Sequence, residues 1–152
     1  MTKKLMVGRV AVGGGAPVSI QSMCNTKTDD VDTTVAQIRT LADAGCEIIR
    51  VAVPDEAAAM AVDRIKEQIS IPLIADIHFN YKLALMCAER GIDALRINPG
   101  NIGGEEKVRA VAEVCQQKNI PIRIGVNGGS LEKPLRARYG GVTAEALVES
   151  AM

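Results

Sequence analysis

Three short aliphatic stretches of this chain each carry an arginine, and a fourth carries an aspartate and a histidine. The arginine stretches are Glu47–Val53 with Arg50, Ala94–Pro99 with Arg96 and Asn98, and Pro121–Asn127 with Arg123 and Asn127. The fourth, Pro72–His78, holds Asp76 and His78. Side chains of a strand alternate between its two faces. Read as strands, these stretches put Arg96 and Asn98 on one face, and likewise Asp76 with His78 and Arg123 with Asn127. The opposite faces are apolar: Val51 and Val53, Ile77, Leu95 and Ile97, and Ile122, Ile124 and Val126. A charge taken out of water is costly unless it meets an opposite charge. Three guanidinium forks converging on one polar face therefore point to an anionic ligand, above all phosphate or diphosphate.

His78 is the only histidine in the chain. A lone histidine is commonly structural, but this one ends a strand two residues after Asp76, on the polar face. There it can donate to a ligand oxygen or move a proton. A metal site is not expected, because no second histidine or carboxylate cluster accompanies it. No residue is singled out as catalytic. Two glycine-rich turns follow strand ends, Pro99–Gly104 and Asn127–Ser130. Their backbone N–H groups could cradle an anion, although neither has a dinucleotide or Walker spacing, and plain tight turns explain such loops equally well. The basic run Lys133–Arg138 is expected to be a solvated connection.

These residues need a scaffold, and the chain alternates strand and helix signals. A first strand is predicted over Pro17–Met23. A helix over Thr34–Ala44 follows, with Thr34 and Gln37 at capping-box spacing and Gly45 as its stop. Further helices are predicted over about Asp55–Ile69, Tyr81–Arg90 and Glu105–Lys118, with a last one starting near Thr143. Gly45–Val51 resembles Gly91–Ile97, and Ile71–His78 resembles Ile120–Asn127, a weak internal repeat. The pattern is that of about five parallel βα units. The segment Leu5–Val12 ahead of them reads as a short hairpin arm that could plug the bottom of the sheet. A doubly wound sheet would need apolar residues on both strand faces. One-sided polarity near the strand C-termini favours a TIM (β/α)8 barrel instead, here a partial one, since a whole barrel takes about 250 residues and the chain has 152.

Composition narrows the function further. Lysine plus arginine balances aspartate plus glutamate at 18 each, and the aromatics are Phe79, Tyr81 and Tyr139 alone. Neither a basic surface nor stacking rings favour nucleic acid as a partner. No apolar run reaches the roughly 20 residues of a membrane span, and no signal peptide is evident. Cys24, Cys46, Cys87 and Cys115 are widely spaced, as expected for free thiols of a cytoplasmic protein. Cys24, just past a strand end, is the one placed to line a site.

Gln21–Met23, Arg50–Pro54, Ala75–Phe79, Leu95–Gly103 and Arg123–Glu132, in that order, closely resemble the 4-hydroxy-3-methylbut-2-enyl diphosphate synthase family over nearly the whole chain. The resemblance implies a TIM-barrel domain that binds a cyclic diphosphate, 2-C-methyl-D-erythritol 2,4-cyclodiphosphate. It also implies reductive opening of that ring in isoprenoid biosynthesis, with electrons from ferredoxin or flavodoxin. The family adds a domain carrying a 4Fe-4S cluster on three cysteines and a glutamate, and works as a homodimer. Arg50, His78, Arg96, Asn98, Arg123 and Asn127 match positions that hold substrate, and Asp76 one that supports them. The four cysteines do not match the cluster pattern. Residues 1–152 are thus expected to be the N-terminal portion of the barrel, binding no cluster and inactive alone. Another phosphate-binding barrel enzyme and a non-catalytic, self-associating fragment are the competing readings. A Schiff-base aldolase is disfavoured, because none of these strands contains a lysine.

Overall fold

The computed structural model describes residues 2–152. The chain opens with an antiparallel hairpin of β1 (Leu5–Val7) and β2 (Val10–Val12), with Val7 opposite Val10. Gly8 turns it with φ +53°, and a Cβ there would lie 2.9 Å from the Pro72 ring. Five parallel strands follow in sequential order: β3 (Gln21–Met23), β4 (Ile48–Ala52), β5 (Leu73–Ile77), β6 (Ala94–Ile97) and β7 (Ile122–Ile124). Sequential parallel order with a crossover after each strand is the pattern of a barrel wall.

The two faces of this sheet are used differently. Ile49, Val51, Val53, Leu73, Ala75, Ile77, Leu95 and Ile97 form the main core with residues of the helices, including Val35, Ile38, Val62, Ile65, Leu83 and Val111. On the other face Ile48, Ile74 and Ala94, at the N-terminal ends of the strands, are covered by Val7 and Val10 of the hairpin. The hairpin therefore does plug the bottom of the sheet, and the polar residues stand above it.

Element boundaries differ from the sequence reading where local hydrogen bonds decide. The first strand shrinks to Gln21–Met23. Helix α1 spans Val31–Asp43 and is capped by Asp30, whose side chain accepts from the Thr33 N–H. The Thr34/Gln37 pair is not its capping box. Thr34 is buried and donates to the Lys27 carbonyl, and Gln37 holds the Asn25 loop through both ends of its amide. The stretch expected as one helix breaks at Ala61 into α2 (Glu56–Met60) and α3 (Val62–Lys66). The Ala61 N–H is shared between the Ala57 and Ala58 carbonyls there. Helix α4 (Tyr81–Glu89) ends before Gly91, whose φ is +74°.

The glycine-rich turn after β6 is a helix, α5 (Pro99–Ile102), followed by α6 (Gly104–Lys118). Asn98 caps α5 and proline occupies its first position, a pairing that starts helices. The basic run is likewise helical, α7 (Lys133–Arg138), with Pro134 in its first turn. Arg136 donates to the Gly128 carbonyl, and Arg138 pairs with Glu149 of α8 (Ala144–Ala151). The segment is solvated, as expected, with no buried residue, and these contacts tie it to its neighbours. No helix among the described residues is long and apolar enough to cross a membrane.

Candidate anion-binding site

Asp76, near the C-terminal end of β5, organises the polar face. It is 3% exposed. Its carboxylate accepts from Arg96 Nη1 at 3.0 Å and lies 3.3 Å from Arg50 Nε and 3.4 Å from His78 Nε2. Strand register explains the meeting: Arg96 is the partner of Asp76 on β6, and Ala52, two residues beyond Arg50, is its partner on β4. One carboxylate facing two guanidinium groups satisfies the burial requirement for Asp76, and each guanidinium group keeps N–H groups that another acceptor could take. The Arg50 and Arg96 side chains retain 24% and 17% exposure, enough for a ligand to reach them. Arg50 is steadied from the other side by Met23, whose sulfur accepts from Nε and Nη2 at 3.3 and 3.2 Å.

The remaining candidates are placed less centrally. Arg123 shares the inner face, directly across from Arg96 in the register, but β7 is the last strand and Arg123 is exposed, not buried as the sequence implied. Its Nη1 reaches Gln21 Oε1 at 3.3 Å. Since Gln21 lies on β3, at the other edge, the sheet is curled far enough to bring its first and fifth strands within reach of each other. Asn98 is 1% exposed and occupied: its Oδ1 accepts from the Gly100 N–H, and its Nδ2 donates to Ser130 Oγ. Asn127 is exposed, with Oδ1 accepting from the Ser130 N–H. The two asparagines therefore shape the loops after β6 and β7, tied together through Ser130.

His78 lies just past the end of β5 with half its side chain exposed, next to Phe79 in an edge-to-face arrangement at 6.1 Å. A cavity of about 120 Å³ opens beside them, lined by Pro54, Asp76, His78 and Phe79 among others. On this face Arg50 and Arg96 share the Asp76 carboxylate, and Arg123 stands beside Arg96 in the register. The arrangement can hold a phosphoryl group by charge-assisted hydrogen bonds. Met23, Gln21 and Ser130 belong to it as well. Nothing in their residue types announces this, because each acts through a contact between strands distant in sequence.

The thiols take no part. All four cysteines are buried, and Cys24 belongs to the helix-side core, not to the polar face. Burial pushes the thiol pKa up to about 11 for Cys24, about 12 for Cys87 and about 11 for Cys115. They stay protonated and unreactive at neutral pH. Native protein at pH 8 should react with a thiol reagent at a small fraction of the rate seen in urea. Fast labelling of Cys24 or Cys87 in the native state would contradict the packing. Raised folded-state values also mean that stability is intact below the ordinary thiol pKa of 9.0 and is lost as pH climbs through 11 to 12. No group of three histidine, cysteine, aspartate or glutamate side chains among the described residues could hold a metal ion. The cysteines therefore do not fit an iron–sulfur cluster.

Parallel βα units with helices on one face define part of a TIM barrel, and the candidate anion site lies at the strand C-termini, where that fold places its sites. The chain belongs to the GcpE TIM-barrel domain family, which it matches over residues 2–152. It is 62% identical over 150 residues to the 4-hydroxy-3-methylbut-2-en-1-yl diphosphate synthase (flavodoxin) of Marinomonas sp. strain MWYL1, covering 99% of this chain and 40% of that protein. The protein of the same name from Maridesulfovibrio salexigens is 60% identical over 151 residues, covering 99% and 42%. The chain thus spans about two fifths of the length of these relatives. Among solved structures, the Yersinia pestis dihydropteroate synthase superposes with a TM-score of 0.63 at 10% identity, over 97% of this chain and 56% of that one. That likeness is one of fold alone.

Proposed function

We propose that this chain supplies the diphosphate-binding wall of a 4-hydroxy-3-methylbut-2-en-1-yl diphosphate synthase, as the first five units of its barrel. The observation that carries the reading is the Asp76 carboxylate shared by Arg50 and Arg96, with His78 beside it at the strand C-termini. In this reading Arg50 and Arg96 grip the diphosphate oxygens of 2-C-methyl-D-erythritol 2,4-cyclodiphosphate, and Arg123 adds charge from the rim. His78 donates to an oxygen, and Asn98 and Asn127 hold the two loops that close over the ligand. Asp76 keeps the forks aimed. The reduction of the cyclic diphosphate needs electrons, and the relatives' name points to flavodoxin as their source. The 4Fe-4S cluster of such an enzyme would supply that electron transfer when bound, on ligands outside these residues. A cytoplasmic homodimer is part of the same reading.

Inorganic pyrophosphate is the direct probe. Titrated into the chain, it should bind with one-to-one stoichiometry and weaken steeply with salt. Arg96→Ala should weaken it by about tenfold or more, the loss of one charge-assisted contact. Equal binding by the variant, or none by the parent chain, would remove the basis of the proposal.

A further inference from the structure

Gly125 follows β7 and continues its pairing, with its N–H donating to the Ile97 carbonyl at 2.9 Å. Its φ is not positive. The backbone at this point would therefore accept any residue, and no turn requires glycine. What requires it is Arg96. A Cβ on Gly125 would lie 2.2 Å from Arg96 Nε, 2.5 Å from Nη2 and 2.7 Å from Cζ. Real carbon atoms do not come so close to other heavy atoms. The guanidinium group lies against bare backbone, with Nη2 donating to the Gly125 carbonyl at 3.3 Å while Nη1 donates to Asp76 at 3.0 Å. A glycine inside a strand is a recognised sign of such an approach.

We infer that Gly125 is a positioning residue for the anion site: the absence of a side chain there seats the Arg96 guanidinium between β5 and β7, and so sets the affinity for diphosphate without touching it. The inference rests on the diphosphate reading for its ligand, but the steric dependence on Arg96 can be tested apart from it. Alanine at 125 must push the guanidinium off the backbone. It then loses the Gly125 carbonyl and its alignment with Asp76 together. With Arg96 cut back to alanine, the space is vacant and the same alanine at 125 should be harmless.

The test is a double-mutant cycle of Gly125→Ala and Arg96→Ala, read by pyrophosphate titration and by urea unfolding. Gly125→Ala should weaken pyrophosphate binding by about tenfold or more, as Arg96→Ala does, and the double variant should bind no more weakly than Arg96→Ala alone. In urea, Gly125→Ala should lower the unfolding midpoint of the parent chain but not that of the Arg96→Ala chain. Independent, multiplying losses of binding would overturn the inference, as would an equal drop in midpoint in both backgrounds. If Gly125→Ala does not fold, the double variant should, and its failure to fold would also overturn it. If the parent chain binds no pyrophosphate, the diphosphate reading fails while the urea arm still decides the role of Gly125.

Discussion

Replacing Asp76 with alanine should lower the unfolding free energy by about 3 kcal/mol, the scale for removing one partner of a buried ion pair. The reason lies in the surroundings. Asp76 is 3% exposed and is the carboxylate that faces Arg50, Arg96 and His78. Removing it leaves two partly buried guanidinium groups next to each other with no negative charge between them. Both side chains keep a path to water, so the loss falls at the lower end of the buried-pair range and not above it. Asp76→Asn keeps an acceptor oxygen and should cost clearly less. Urea unfolding of the three chains side by side measures this. An alanine variant with the parent midpoint would mean that the guanidinium groups find their balance elsewhere.

The second large effect concerns the sheet edges. Strands β3 and β7 each have one unpaired edge in the five-stranded order. Large apolar side chains are exposed along them: Val18 and Ile20 ahead of β3, and Ile124 within β7. Unpaired strand edges with apolar flanks recruit other strands. Light scattering should therefore report a mass that rises with concentration. Ile124→Lys combined with Val18→Lys should shift the protein strongly toward monomer, since lysines on or just ahead of an edge strand oppose pairing. A monomer at every concentration in the parent chain would show that the contact between Arg123 and Gln21 is enough to mask both edges.

The faces of the strands were legible because strand alternation leaves no freedom. Once Ile49 and Val51 face the helices, Arg50 must face inward, and the same holds for Asp76, Arg96 and Arg123. What alternation could not reveal was how the inward groups divide their hydrogen bonds. Asp76 serves as the common acceptor because strand register sets it beside Arg96 and near Arg50, and register is a tertiary fact. The exposure of Arg123 follows from β7 being an edge strand. That Asn98 also caps a helix follows from the proline after it, and its amide holds Gly100 and Ser130 with one donor hydrogen and one lone pair to spare. At α1 the spacing of Thr34 and Gln37 points one turn too late, because Asp30 is the residue whose side chain accepts from a first-turn N–H, that of Thr33. Gly125 shows the limit most clearly, since its role depends on a side chain 29 residues away.

Diphosphate binding at the C-terminal mouth of the sheet is open to direct observation. Its most direct test is an NMR titration of the labelled chain with inorganic pyrophosphate, following backbone amides, the arginine Nε–H groups and the His78 ring. Saturable shifts are expected at Arg50, Asp76, His78, Arg96 and the loops after β6 and β7, with the hairpin Leu5–Val12 and the body of α6 unmoved. Shifts concentrated on the basic helix Lys133–Arg138, or no saturable shifts at all, would contradict it.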